Sequence, residues 1–111
     1  MKKDPAVFVQ NMLDCIEKIE SYSAGKSESD FINSKIFQDA VIWRIEMLGQ
    51  AAAHVPETFR AKHSHIPWKK LIATRDKLVK EYFQIDLPLT WKMAKETFPL
   101  LKKQLQEVSA E

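Results

Sequence analysis

From Val9 onward, apolar residues return every three or four positions: Val9, Met12, Leu13, Ile16 and Ile19 share one stripe, and Asp14, Glu17 and Lys18 fall between them. That period is helical, because 3.6 residues per turn bring such positions onto one face. Asp4-Pro5 supplies an N-cap and a first-turn proline, so the pattern predicts a helix over 5–23, ended by the run Ser23 to Ser27 with Gly25 inside it. A second long helix is expected from about 28 or 35 to 54 on Ile36, Ala40, Trp43, Met47 and Leu48. Pro56 opens a short segment through Phe59, and Lys62 to Pro67 breaks it. Pro67-Trp68 begins the next helix, which should reach about Tyr82 on Leu71, Ile72, Leu78 and Val79. Asp86-Leu87-Pro88 turns the chain into a last helix over about 88–107, carried by Leu89, Met93, Leu100, Leu101 and Leu105. Pro99 lies inside it, which predicts a bend or a loosened hydrogen bond near Lys95 to Phe98.

Sustained apolar/polar alternation occurs nowhere, and only two glycines are present, so a sheet has little to build on. The expected fold is all-α. Short connections place successive helices antiparallel, giving an up-and-down bundle of four main helices plus a short fifth. With 111 residues and 45% hydrophobic composition, the chain is expected to form one domain over 1–111. Seventeen basic and fifteen acidic residues leave a net charge of +2, which excludes a strongly basic nucleic-acid protein and confines any RNA role to a local patch. The one cysteine, Cys15, lies in the apolar stripe and reads as a small buried side chain in a reducing compartment. No leader-like apolar run follows Met1-Lys2-Lys3, and no stretch nears the roughly 20 apolar residues of a membrane span, so the expectation is a soluble, cytoplasmic protein with no membrane contact. Trp43, Trp68, Trp91, Phe83 and Phe98 fit two readings equally: ordinary core, or core plus a subunit interface.

Residues 67–87 are the chemically informative stretch. On an ideal helix Arg75 and Tyr82, seven residues apart, lie on nearly one line, while Asp76 and Lys80 make an i, i+4 pair on another side, worth about 0.3 kcal/mol if exposed. From the residues alone these are solvated charges and a half-buried tyrosine. His63 and His65, with His54 upstream, lack a cysteine or acidic cluster to complete a metal site and read as surface histidines. Lys69, Lys70, Lys77 and Lys80, with Lys92 and Lys95, suit either a basic rim for RNA phosphates or a solubilising face.

The order Arg75, Asp76, Lys80, Tyr82, followed by Phe83, Gln84, Ile85 and Asp86, resembles the motif of the HepT-like toxins in the HEPN ribonuclease superfamily. Residues Phe37 to Ala52 are similar to that family's second helix, and Ile66-Pro67-Trp68 to its entry into the motif helix. The resemblance implies a homodimer whose motif helices face each other across a composite RNA site, with Arg75, Asp76, Lys80 and Tyr82 at the catalytic positions, and no cofactor or metal. It also implies a partner, an MntA-like minimal nucleotidyltransferase antitoxin that transfers adenylyl groups to the tyrosine matching Tyr82. Arginine suits the phosphate because its guanidinium can bind two oxygens and stays charged. Lys80 departs from the family, which has histidine there. An ammonium holds its proton at neutral pH unless burial forces it off, so lysine binds phosphate but is a poor base. Two origins of Lys80 fit: a native site that is weakened or silent, or a substitution that disarms a toxic nuclease. The departure also favours an alternative from another class, a non-catalytic helical docking partner of a nucleotidyltransferase.

Overall fold

The computed structural model describes residues 4–109; the leader expectation at Met1 to Lys3 and the chain end at 110–111 lie outside the described residues. Helices α1 (Pro5–Ser23), α2 (Glu28–Ile32), α3 (Lys35–His54), α4 (Glu57–Lys62), α5 (Trp68–Lys80), α6 (Leu87–Lys92) and α7 (Phe98–Ser109) follow in order, and no strand occurs among the described residues. The all-α expectation holds. Four long stretches carry it: α1, α3, α5, and the run from α6 to α7 joined by a π-helical turn over Met93–Thr97.

The ends are set by local chemistry. Asp4 accepts from the Ala6 amide at 2.9 Å with Pro5 in the first turn, and Gly25 takes the left-handed φ of 71° that lets the chain leave α1. Ser27 and Asp30 form a reciprocal capping box, at 3.1 and 2.8 Å, that starts α2. Ser34 then caps α3 through the Phe37 amide at 3.2 Å. The expected start at 28 or 35 is therefore two helices, separated at Asn33 and Ser34, so the bundle has two short helices beside its four long stretches rather than one. The Pro99 expectation also holds, in a specific form. Proline has no N–H to return to Lys95, and the preceding turn widens so that Phe98 N–H donates to the Met93 carbonyl, five residues back.

Core residues come from every long stretch: Met12, Ile16 and Ile19 of α1, Val41, Ile45 and Leu48 of α3, Leu71 and Leu78 of α5, and Phe98, Leu101 and Leu105 of α7. Phe31 of α2 is fully buried between Phe37 and Trp91, with ring centroids 5.2 and 5.5 Å away. The aromatic stripe divides. Trp68, Trp91 and Phe98 are core, whereas Trp43 is 52% and Phe83 is 86% exposed. Cys15 is buried, and burial pushes its thiol pKa up. No helix among the described residues is long and apolar enough to cross a membrane.

Helix α3 sits between α1 and α5, while α7 packs on α1. The α3–α5 crossing is close because Gly49 has no side chain there. A methyl built on Gly49 would stand 2.8 Å from the Leu71 carbonyl oxygen and against Arg75 Cβ. Helices approach this closely only where a residue is small. Gly49→Ala is therefore expected to destabilise the fold by about 1–3 kcal/mol, the usual cost of overpacking, despite alanine's better helix propensity. Chemical denaturation that finds the variant equally or more stable would show that α5 moves away freely.

Candidate active site on α5

Arg75 leaves α5 on the side that faces Gly49, so its Cβ is pinned by the α3 backbone while its side chain remains 24% exposed. The guanidinium turns to its neighbour in sequence. Arg75 Nε and one terminal nitrogen donate to the same Asp76 Oδ1, at 3.0 and 2.7 Å. This corrects the expected Asp76–Lys80 pair: Asp76 is closed onto Arg75, and Lys80 extends from the end of α5 as an exposed cation. The reason is geometric, since a guanidinium held at its root within reach of a carboxylate meets it with two converging donors, whereas a lysine four residues on must fix a long flexible stem. Of the five N–H donors on a guanidinium, the rest have no hydrogen-bond partner among the described residues and are free to meet phosphate oxygens.

The expected helix through Tyr82 is also corrected. Helix α5 ends at Lys80, because Glu81 leaves helical geometry with φ −115° and ψ 34°, and Gln84 N–H closes a turn on the Glu81 carbonyl at 2.8 Å. Nothing apolar covers residues 81–84, and Asp86 and Pro88 must begin α6 directly afterwards, capped by Asp86 on the Leu89 amide at 3.0 Å. Tyr82 consequently does not stand above Arg75 on a continued helix. It projects from the turn, 59% exposed, with its ring 4.1 Å from that of Phe83. Val79, one turn past Arg75 and Asp76, is exposed as well. The charged pair thus lies one turn before the exposed Val79, and the turn that follows α5 leaves Tyr82 and Phe83 uncovered as well.

Other sequence candidates fall differently. His63 is not a surface histidine: it is 6% exposed, its ring lies tilted 4.6 Å from that of Phe59, and its carbonyl accepts from Trp68 Nε1 at 3.0 Å. His54 is exposed and held by the Gln50 carbonyl at 2.8 Å. Among the described residues no three histidine, cysteine or acidic side chains converge as metal ligands. Lys95 does not join a rim beside α5, because its ammonium donates to the Ser23 carbonyl at 3.2 Å and lies 5.0 Å from the centre of the Trp91 ring. Two residues escaped the sequence reading. Gly49 was legible only as one of two glycines, and its meaning required the α5 backbone across from it. Glu46 lies one turn earlier on the same side of α3, and burial raises its carboxyl pKa above the ordinary range.

With this geometry in place, the comparison with known proteins decides the family: the "Ribonuclease HepT-like" family matches residues 12–108. The chain belongs to the HepT-like ribonuclease family. Its relatives include "Probable ribonuclease HepT" of Thermococcus cleftensis, 33% identical over 108 residues that cover 97% of this chain and 98% of that protein. A provisionally assigned RNase of Caldanaerobacter subterraneus subsp. tengcongensis is 32% identical over 106 residues, covering 96% of this chain and 95% of the relative. A Methanocaldococcus jannaschii protein, whose name joins a gamma-glutamylcyclotransferase to a provisionally assigned RNase, is 44% identical over 111 residues. All of this chain aligns with it, and this chain spans 50% of its length. No solved structure matches the chain.

Proposed function

We propose that this HepT-like chain is the ribonuclease toxin of a toxin–antitoxin pair, acting in the cytoplasm on RNA as a homodimer without a metal, with a weakened site because Lys80 stands where the family has histidine. The observation that carries this reading is the partly exposed Arg75–Asp76 pair with unpartnered guanidinium donors, on a helix whose end and following turn expose Val79, Tyr82 and Phe83. Uncovered aromatic surface next to a cationic group suits a site that a second protomer completes.

In metal-independent RNA cleavage the 2′-hydroxyl oxygen bonds to the adjacent phosphorus while its proton leaves to a base. The bond from phosphorus to the 5′ oxygen breaks, and that oxygen takes a proton, leaving a 2′,3′-cyclic phosphate and a 5′-hydroxyl. Charge grows on the non-bridging oxygens, and Arg75 supplies fixed donors to them. Asp76 orients Arg75 through the shared Oδ1. Lys80 adds a cation at the helix end but is mismatched to proton transfer at neutral pH.

Tyr82 serves regulation in this scheme. Its hydroxyl has no partner among the described residues and is open to solvent, so it can attack the α-phosphorus of ATP held by an MntA-like nucleotidyltransferase, losing its proton and expelling pyrophosphate. The added phosphate would then occupy the cationic surface that RNA requires. Lys80 also favours a second reading, in which the chain only docks such a nucleotidyltransferase without cleaving RNA.

Lys80→His separates the two. It is expected to raise cleavage by about 10²- to 10⁴-fold, the typical contribution of a positioned acid or base, with cyclic phosphate ends and activity that survives EDTA. Adding Arg75→Ala should abolish that gain. A histidine variant that is folded, dimeric and inert toward total cellular RNA would refute the nuclease reading and leave the docking one. Light scattering of the unaltered chain should give a dimer at micromolar concentration, and Phe83→Asp should shift it toward monomer; a monomer throughout would remove the composite site. Incubation with ATP and the cognate nucleotidyltransferase should add AMP masses to the intact protein, and these should vanish in Tyr82→Phe.

A further inference from the structure

Glu46 is a carboxylate that the scheme above leaves unused, and helix packing brings it to the same place. Phe37, in the first turn of α3, meets Trp91 of α6 with ring centroids 6.0 Å apart, and α6 follows directly on the turn that closes α5. Nearer the end of α3, Gly49 meets the Leu71 carbonyl and Arg75 Cβ in the first part of α5. The two helices therefore run antiparallel, and each step back along α3 is a step forward along α5. Glu46, three residues before Gly49, lies about 4.5 Å back along the α3 axis, level with Arg75 and Asp76.

It also opens on the same side. Going round α3 leads from buried Ile45 and Leu48 through Gly49, at the contact, to Glu46. Going round α5 in the same sense leads from buried Leu78 and Leu71 through Arg75 to Val79 and Asp76. An antiparallel neighbour reverses the sense of rotation, so both paths leave the core on one side, where Glu46 faces the Arg75–Asp76 pair across the groove between the helices. Helix α1 packs on the other side of α3, where Arg44 Nε donates to the Tyr22 hydroxyl at 3.3 Å, and α2 packs on its first turn through Phe31 and Phe37. The charged groups turned toward Glu46 are thus Arg75 and Asp76, with Lys80 beyond them at the end of α5.

Glu46 is partly buried, and its carboxylate has no hydrogen bond or ion pair among the described residues. Loss of water lifts its pKa above the ordinary carboxylate range, which moves a carboxylate base toward neutral pH. Asp76 is engaged by two Arg75 donors, and lysine is a poor base at neutral pH. Glu46 is the carboxylate of the groove left free to accept a proton.

We infer that Glu46 accepts the 2′-hydroxyl proton of RNA bound at Arg75, so that the site keeps a base although Lys80 stands where the family has histidine. The inference rests on the nuclease reading proposed above. As the 2′ oxygen bonds to phosphorus, its proton passes to a Glu46 carboxylate oxygen. The bond from phosphorus to the 5′ oxygen breaks with its electron pair on that oxygen, which takes a proton from water, and the hydroxide so formed takes the proton from Glu46 and restores the carboxylate.

Cleavage of total cellular RNA in EDTA, read as 2′,3′-cyclic phosphate ends from about pH 4 to 9, tests this. The unaltered chain should cleave slowly, and its rate should fall as pH drops through a midpoint above the ordinary carboxylate range, because the base must first lose its proton. Glu46→Gln should lower the plateau by about 10²- to 10⁴-fold and remove that acid limb, with RNA affinity by gel shift and oligomeric mass unchanged. A merely structural Glu46 would change folding or affinity and leave the limb in place. Should Glu46→Gln fail to fold by thermal unfolding, the unaltered protein decides: the Glu46 carboxyl carbon, followed by NMR, should titrate with the midpoint of the rate limb, and a different midpoint overturns the inference. It is also overturned by a Glu46→Gln variant that keeps both rate and limb, or by an unaltered chain that is inert while Lys80→His cleaves; in both cases the nuclease reading stands. If the unaltered chain and Lys80→His are both inert, that reading fails and this inference fails with it.

Discussion

The candidate residues Arg75, Asp76 and Lys80 all stand on α5, and α5 is held where it is by its backbone contact with α3 at Gly49. Leu71 and Leu78 anchor one side of the helix in the core, but hydrophobic burial alone sets only an approximate distance. The missing side chain at Gly49 lets the two backbones meet, with the Leu71 carbonyl and Arg75 Cβ filling its place. Arg75 is thereby fixed at its root, and a side chain fixed at its root loses little further freedom when Asp76 takes two of its donors. The pair is preorganised without being buried, which keeps its access to solvent.

The two ends of α5 are then chemically unlike. At the start, a turn with no side-chain cap carries the exposed Lys69 and Lys70. At the end, Lys80 is followed by a turn that leaves Val79, Tyr82 and Phe83 uncovered. Anions are favoured at a helix start and disfavoured at its end, so the helix itself adds positive potential at the first end and offsets the Lys80 cation at the second. The exposed aromatic pair Tyr82 and Phe83 belongs to the second end only.

Away from α5, the bundle absorbs local demands cheaply. Pro99 would remove a hydrogen bond from a regular helix, and the π-helical turn over Met93–Thr97 recovers one by reaching a carbonyl five residues back. Lys95, on that widened turn, finds the Ser23 carbonyl at the end of α1. A sequence feature that weakens one helix thus becomes a tie between two.

Much of this was legible in the residue order. The period of Val9 to Ile19, the Asp4-Pro5 and Asp86-Pro88 starts, and the disturbance before Pro99 follow from local physics, where a residue's partners are within five positions along the chain. So did the all-α class, and the motif from Arg75 to Tyr82 pointed to the family that the comparison establishes. Only the tertiary structure decided which tryptophans are core, that His63 is buried against Phe59, that Gly49 admits α5, and that the Arg60 Nε is wholly buried without a partner. Those outcomes depend on which helix lies opposite, and a helical period reports that a face is apolar without saying what covers it. Even within the motif, the choice of Arg75 over Lys80 as the partner of Asp76, and the end of α5 before Tyr82, were settled by contacts: a backbone that holds Arg75 in place, and the absence of any apolar surface to hold residues 81–84 in a helix.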